Sequence, residues 1–340
     1  MLNRLSILSI GLIGLLLTTC KKDITIQPYH TDGEVIKLLQ GPANGVNVVI
    51  LGDGYTKAGL IKGGLFDIDT KSVTDYIFTI QPYSTYKQYF NVYAVCAQSN
   101  QEGAGHGTPN PNTKFNSYFA SSSDRLIVSD NYTLYNAYAQ KAVPNSNVDL
   151  LILLVNDATY GGSGGAIAVV TTHNGFEQTV IHEMGHTFAN LGDEYVDAAS
   201  APYYARNNIP YLPNLDTIAD PAKIKWASYL SLPAYKSTVG VYEGGYYAAT
   251  GTYRPEFTSI MRDFTAIRYN APSREAIVRR IDGIIGVPFD INDFLQKDKA
   301  AIPVTVNLSP NNNRTLPLRD FIRPQNQISL RPRTPDQIIK

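Results

Sequence analysis

Residues 150–154 read Leu-Leu-Ile-Leu-Leu, a run without a polar position. Bounded by Asp149 and Val155, it reads as a buried strand and commits the chain to a sheet with its core around it. Val46–Leu51 ends in four continuously apolar residues and enters the turn signal Gly52-Asp53-Gly54-Tyr55. It is a second buried strand leading into a loop. Phe90–Ala97 and Ala166–Thr172 supply two more. The stretch from Lys71 to Tyr89 reads as largely helical, with an interruption at Pro82. Strands separated by longer helical segments predict an α/β (α+β) chain built on a mixed sheet. With 340 residues, 44% of them hydrophobic, the chain can bury one large core, or one core and a small satellite.

The formal net charge is +0, and no long basic or acidic run occurs. That argues against nucleic acid as a partner. The cysteines are Cys20 and Cys96. Cys96 closes an apolar strand and reads as a small buried residue. Cys20 ends the segment MLNRLSILSIGLIGLLLTTC, in which Arg4 precedes an apolar run from Leu5 to Leu17. The run is too short for a comfortable membrane span. Leu17-Thr18-Thr19-Cys20 resembles the lipobox of bacterial lipoproteins, which implies cleavage before Cys20 and diacylation of its sulfur. Two or more acyl chains anchor stably, so the expected location is the outer membrane or surface of a bacterial cell. With Cys20 lipidated, a disulfide framework is excluded. The expected divisions are a signal peptide (1–19), a lipidated tether (20–35), a catalytic domain (36–290) and a C-terminal extension (291–340).

Gly161-Gly162-Ser163-Gly164-Gly165 breaks the chain before Ala166. No lysine follows at phosphate-loop spacing and a strand follows rather than a helix, so it reads as a loop beside a cleft. Beyond it, Asn174 and Glu177 form a capping-box pattern at the start of a helix. Ile181, Met184, Phe188 and Leu191 recur at helical spacing and face the core. The adjoining stripe carries His182-Glu183-Met184-Gly185-His186. Residues four apart on a helix are neighbours on one face, and two imidazoles there can bind one Zn2+ at about 2.0–2.1 Å. Glu183, one position round, can take a proton from a water that the metal acidifies. Gly185 leaves room for another segment to pack closely.

A catalytic zinc needs a third protein ligand. Asp193 and Glu194 are the candidates, Asp193 the favoured one. On an uninterrupted helix Asp193 would lie about 10 Å beyond His186, at roughly 1.5 Å per residue. Gly192 is expected to end the helix with a positive φ and turn the chain back.

HEMGHTFANLGDEY, residues 182–195, is similar to the signature of the IgA-peptidase-type metallopeptidase family of bacteria. The resemblance extends more loosely over residues 46–290, through Leu51–Tyr55, Phe90–Tyr93 and Ser259–Asp263. It implies His182 and His186 as zinc ligands and Glu183 as general base. It also implies a metzincin-like twisted sheet, with the active helix beneath an edge strand, Ala166–Thr172, that pairs with extended substrate. Met261 resembles the methionine of a Met-turn. One departure stands out: the metzincin consensus has a glycine three residues after the second histidine and a ligand six after it. Here Ala189 and Gly192 stand at those places and Asp193 comes seven after.

Tyr195, Tyr246 and Tyr247 are candidate donors to a developing oxyanion or to substrate, and His106 and His173 are candidate substrate contacts. The function expected is zinc-dependent hydrolysis of peptide bonds in extracellular or surface proteins. The alternatives are a non-catalytic surface lipoprotein that binds host protein or glycan, and a hydrolase of peptidoglycan peptides.

Overall fold

The apolar runs form the centre of a six-stranded sheet. In chain order its region holds β1 (Val35–Leu39), β2 (Val46–Asp53), β3 (Phe90–Val95), β4 (Tyr118–Phe119), β5 (Ile127–Val128), β6 (Leu150–Val155), β7 (Gly162–Ser163) and β8 (Ala168–Thr171). The computed structural model describes residues 28–198, 200–201 and 209–298. Cys20, the leader before it and the chain beyond residue 298 lie outside the described residues. The sheet order is β1-β3-β2-β6-β8-β7. Strands β3, β2, β6 and β8 are parallel to one another, while β1 and β7 run antiparallel at the two edges. The β4–β5 pair is a separate two-stranded unit.

Every residue of β2 and β6 is buried, as continuous apolar runs require when both sheet faces are covered. Alternation within them decides which layer each side chain meets. Val48, Ile50, Ile152 and Leu154 point into the larger core. Helices α1 (Leu65–Ile77), α4 (Phe176–Ala189) and α6 (Ala271–Ile285) lie on that side. Val49, Leu51, Leu151 and Leu153 point the other way, onto Tyr135, Tyr138 and Ala139 of α3 (Tyr132–Ala142). Between α1 and β3 the chain forms only a short helix, α2 (Tyr83–Tyr86), and a single 3-10 turn, so Pro82 does divide the helical stretch. Cys96 is buried just past β3, and burial pushes its thiol pKa up to about 12.

Two expectations need correction. First, β8 is not the edge strand: β7, from the glycine-rich stretch, pairs antiparallel outside it with Gly162 opposite Val170. The edge is also partly closed, since the Gly162 N–H donates to the Arg125 carbonyl at 3.1 Å. Second, Asn174 does not cap α4. Gly175 precedes the helix at φ 81° with no side-chain cap, and Glu177 accepts instead from Ser72 Oγ of α1 at 2.6 Å. The expected C-terminal extension begins at residue 291, and its residues 291–298 are described. They form α7 (Ile291–Asp298), with Phe294 buried in the main core. Asp298 takes a two-pronged ion pair from buried Arg274, at 2.7 and 2.8 Å.

The chain between α4 and α6 carries α5 (Ala227–Leu230) and a long hairpin of β9 (Val239–Gly245) and β10 (Ala248–Glu256). At the other end, the expected tether is already docked by residue 30. His30 contacts Glu34 at 2.8 Å and Asp67 at 3.0 Å, and Tyr29 bridges to Ile61.

Candidate metal centre and its peptidase family

Helix α4 packs against α6 with β8 behind it, and its central turns are fully enclosed. A glycine stands where it must. A Cβ on Gly185 would meet Met261 Sδ at 2.6 Å and Tyr269 Cε1 at 3.1 Å. Without it, the segment Ile260–Met261 lies directly against the turn that carries both histidines. The Ile260 carbonyl then accepts from His182 Nδ1 at 2.8 Å, and the Leu191 carbonyl from His186 Nδ1 at 2.7 Å.

A carbonyl oxygen only accepts, so each Nδ1 carries a proton, and in its neutral form each ring turns an Nε2 lone pair inward. The two Nε2 atoms are 3.1 Å apart. Asp193 Oδ1 completes a triangle, 3.1 Å from His182 Nε2 and 3.4 Å from His186 Nε2. All three residues are buried. Burial alone would raise the Asp193 pKa, and positive charge facing it, on protonated imidazoles or on a cation between them, holds it far below the carboxylate range. Three electron-rich atoms at such distances, closed off from water, repel one another unless a cation lies between them. Tetrahedral ligands at about 2.0–2.1 Å from a metal are about 3.3 Å apart, and the triangle has that size. The donor set therefore fits a metal ion.

Asp193 reaches this position because the helix stops early. The residue with positive φ is Asn190 (φ 56°, ψ 36°), not Gly192. Gly192 serves a different need. A Cβ there would strike Leu212 and Leu215 at 2.5 and 2.6 Å, and its N–H and carbonyl both bond to the Asn214 side chain at 2.8 Å. Glu194 points away from the histidines. Its carboxylate accepts from Asn214 and Ser259, each at 2.7 Å, and from Asn270. Burial pushes its pKa up to about 7 against those three donors. Glu194 thus ties the loop to two other segments, while Asp193 faces the histidines.

Glu183 is 2% exposed, and an oxygen of its carboxylate lies within 4.8 Å of a nitrogen of each histidine. Burial raises its pKa to about 7. The carboxylate fits under the glycine-rich edge: a Cβ on Gly162 would lie 2.5 Å from Oε1, and one on Gly164 2.9 Å from Oε2. Gly162 and Gly164 therefore make room for the acidic side chain.

Of the candidate tyrosines, Tyr247 is fully buried and its hydroxyl donates to Asp193 Oδ2 at 2.7 Å. Tyr195 packs edge-on against Tyr247 at 5.3 Å, and Tyr246 packs beside it at 5.5 Å. A cleft of about 800 Å³ adjoins the centre, lined among others by Arg125, Tyr160, His173, Gln178, Thr179 and Phe264. Thr179 lies one helical turn before Glu183, and the Phe264 ring stands edge-on to His182 at 5.7 Å. His173 is held by Thr171 and Thr179, and burial lowers its pKa, so it stays neutral. His106 is paired with Asp157 at 2.9 Å and stacked on Phe119. Ser259 lies in the Ser259–Asp263 stretch of the resemblance, whereas Tyr160, Asn214 and Asn270 carry no sequence signal that marks them as part of the site.

Residues 36–233 and 229–281 match the family of IgA peptidase M64. The chain belongs to that family. No curated protein matches the chain. As an IgA-peptidase-family member it is a peptidase, a hydrolase whose substrate is protein or peptide. The site geometry adds that a buried His-Glu-His group is available to a metal within that peptidase.

Proposed function

We propose that this chain is a zinc-dependent endopeptidase that cleaves extracellular or surface proteins, with one Zn2+ per chain held by His182, His186 and Asp193. The observation that carries the reading is the enclosed triangle of two imidazole nitrogens and one carboxylate oxygen. Two nitrogen donors and one oxygen donor suit zinc in a catalytic site, where three protein ligands leave a position open. When bound, zinc supplies Lewis acidity, polarising the scissile carbonyl and acidifying a water.

The chain's own residues do the rest. The Ile260 and Leu191 carbonyls fix both imidazoles in one tautomer and one orientation. Glu183 has no hydrogen-bond donor among the described residues, and its raised pKa suits a base that works near neutral pH. Its carboxylate takes the proton as water attacks the peptide carbonyl, then returns it to the departing amine. The cleft beside Thr179 and Phe264 receives a substrate side chain next to the bond that breaks. Met261 packs under the histidine turn as a floor. The lipobox at Leu17–Cys20 supports export and anchoring through Cys20, which a Cys20→Ala variant appearing in the soluble fraction would test.

The deciding experiment compares Glu183→Ala with the parent on a peptide library, beside zinc content by mass spectrometry. The expected result is one zinc in each protein and a rate lowered about 10²–10⁴-fold in the variant. Undiminished cleavage by Glu183→Ala would sink the mechanism. Absence of zinc from the parent after metal-replete purification would sink the zinc assignment.

A further inference from the structure

The segment Asp193–Tyr195 is held from two sides. On one side the Glu194 N–H donates to the Met261 carbonyl at 2.8 Å. On the other, the Tyr246 N–H donates to the Asp193 carbonyl at 2.8 Å and the Tyr247 N–H to the Tyr195 carbonyl at 3.1 Å. Val196 then bridges to Tyr247, whose carbonyl accepts from the Asp197 N–H at 3.0 Å. These contacts come from the tip of the β9–β10 hairpin.

That tip has an unusual backbone. Four successive residues have positive φ: Gly244 at 95°, Gly245 at 153°, Tyr246 at 48° and Tyr247 at 67°. Glycine adopts such angles freely, but residues with a Cβ do so rarely. A tight hairpin turn of this hand favours Asn-Gly or Asp-Gly, so turn chemistry does not explain two tyrosines there. Non-glycine residues in the left-handed region persist where the surroundings over-determine them, and such places cluster at functional sites.

The side chain of Tyr247 supplies the reason. Its hydroxyl donates to Asp193 Oδ2 at 2.7 Å, deep in the protein. With Oδ2 engaged, Oδ1 is the oxygen turned to the two Nε2 atoms. A carboxylate free to rotate would offer either oxygen in many directions, whereas a hydrogen-bonded one is fixed. Outer partners of this kind orient a ligand before the metal arrives.

We infer that Tyr247 is a positioning residue for the metal. Its phenol sets the Asp193 carboxylate, and the strained hairpin tip exists to deliver that phenol. The inference rests on the metal reading proposed above. It assigns to the hairpin, a two-stranded unit outside the main sheet, the task of completing the third ligand.

The test measures zinc affinity of the full chain by competition with a chromophoric chelator, a readout independent of activity. Tyr247→Phe should bind zinc about 10–100-fold more weakly than the parent. Tyr242→Phe, on the same hairpin but away from Asp193, should bind as the parent does. On an Asp193→Ala background, Tyr247→Phe should cause no further loss, because the phenol acts through that carboxylate alone. Thermal unfolding of the metal-free proteins checks that the variants fold. Unchanged zinc affinity in Tyr247→Phe, with the parent binding normally, overturns this inference alone. A further loss of the same size on the Asp193→Ala background makes the effect a general structural one and overturns it as well. A parent that binds no zinc overturns the metal reading and this inference with it.

Discussion

Gly185→Ala sets two physical effects against each other. Inside an exposed helix, alanine is better than glycine by about 0.8–1.0 kcal/mol, so propensity alone predicts a more stable protein. Packing predicts the opposite. The added methyl would lie 2.6 Å from Met261 Sδ, 3.1 Å from Tyr269 Cε1 and 3.2 Å from Met261 Cε. Comfortable contact between such atoms needs about 3.5–4.0 Å, so Met261 would have to retreat by about 1 Å. It has nowhere to go, being fully buried. Its backbone is also tied, through its own carbonyl to Glu194 and through its neighbour Ile260 to His182. Overpacking of this kind costs about 1–3 kcal/mol. The net expectation is a loss of about 1 kcal/mol, or a melting temperature lower by about 2–4 °C for a domain of this size. Zinc affinity should fall as well, because the displaced segment orients His182 and anchors the loop of Asp193. Urea unfolding of the metal-free protein measures the first effect and chelator competition the second. A second variant isolates the cause. Met261→Ala removes the nearer obstacle and leaves Tyr269 Cε1 at 3.1 Å, so on that background the cost of Gly185→Ala should shrink markedly. A Gly185→Ala protein that is more stable than the parent, with zinc affinity intact, would refute the close-packing account of this glycine.

Gly162→Ala places a methyl 2.5 Å from Glu183 Oε1 and 2.7 Å from Thr179 Cγ2. Displacing the base by about 1 Å should lower kcat about 10²-fold with zinc content unchanged, as steady-state kinetics beside metal analysis would show. Asp298→Ala leaves the Arg274 guanidinium buried without its two-pronged partner, which should cost about 3–5 kcal/mol in chemical denaturation; an unchanged midpoint would mean that α7 is not part of the cooperative core. Burial raises the Asp282 pKa to about 6, above an unfolded value of about 3.9. The native state therefore holds the extra proton between those values, and stability falls as pH rises from about 4 to about 6. Asp282→Asn should match the parent at pH 4 and exceed it at pH 7 in melting temperature, and equal melting temperatures at both would contradict the sign.

The central strands were legible because they are apolar on both faces. In β2 and β6 no position needs water, so a plain run of Val, Ile and Leu carries the whole message. The edge was illegible for the complementary reason. Glycine has low strand propensity, and nothing within Gly161–Gly165 says that two of its residues pair with β8. The positions of Glu183 and its helix beneath Gly162 and Gly164 give those two glycines a reason, and these are contacts between residues about 20 positions apart in the chain. The docking of α7 was hidden in the same way. Its decisive contact joins Asp298 to Arg274 in α6, and neither residue differs in type from an ordinary surface charge.

Helical spacing brings His182, Glu183 and His186 together without help from tertiary structure, which is why a sequence can display them. The third ligand has no such guarantee. Asp193 and Glu194 are adjacent, both carboxylic acids and equally buried, and successive side chains of an extended segment point to opposite sides. Which one faces the histidines depends on where the chain turns after α4. The turn falls at Asn190 rather than Gly192, two residues earlier than glycine chemistry alone suggests. Asparagine tolerates the left-handed region better than most residues with a Cβ, and here the glycine two places on is required for a separate purpose, contact with Leu212 and Leu215. The same early turn lets Leu191 present its carbonyl to His186. It leaves Glu194 facing Asn214, Ser259 and Asn270, which supply three donors to a carboxylate that would otherwise be buried without partners. Exchanging the two acids would place a longer side chain in the histidine triangle and leave those donors unmatched. The order Asp-Glu is therefore a consequence of the turn at Asn190: the short acid fits the space beside the histidines, and the long one reaches the donors behind it.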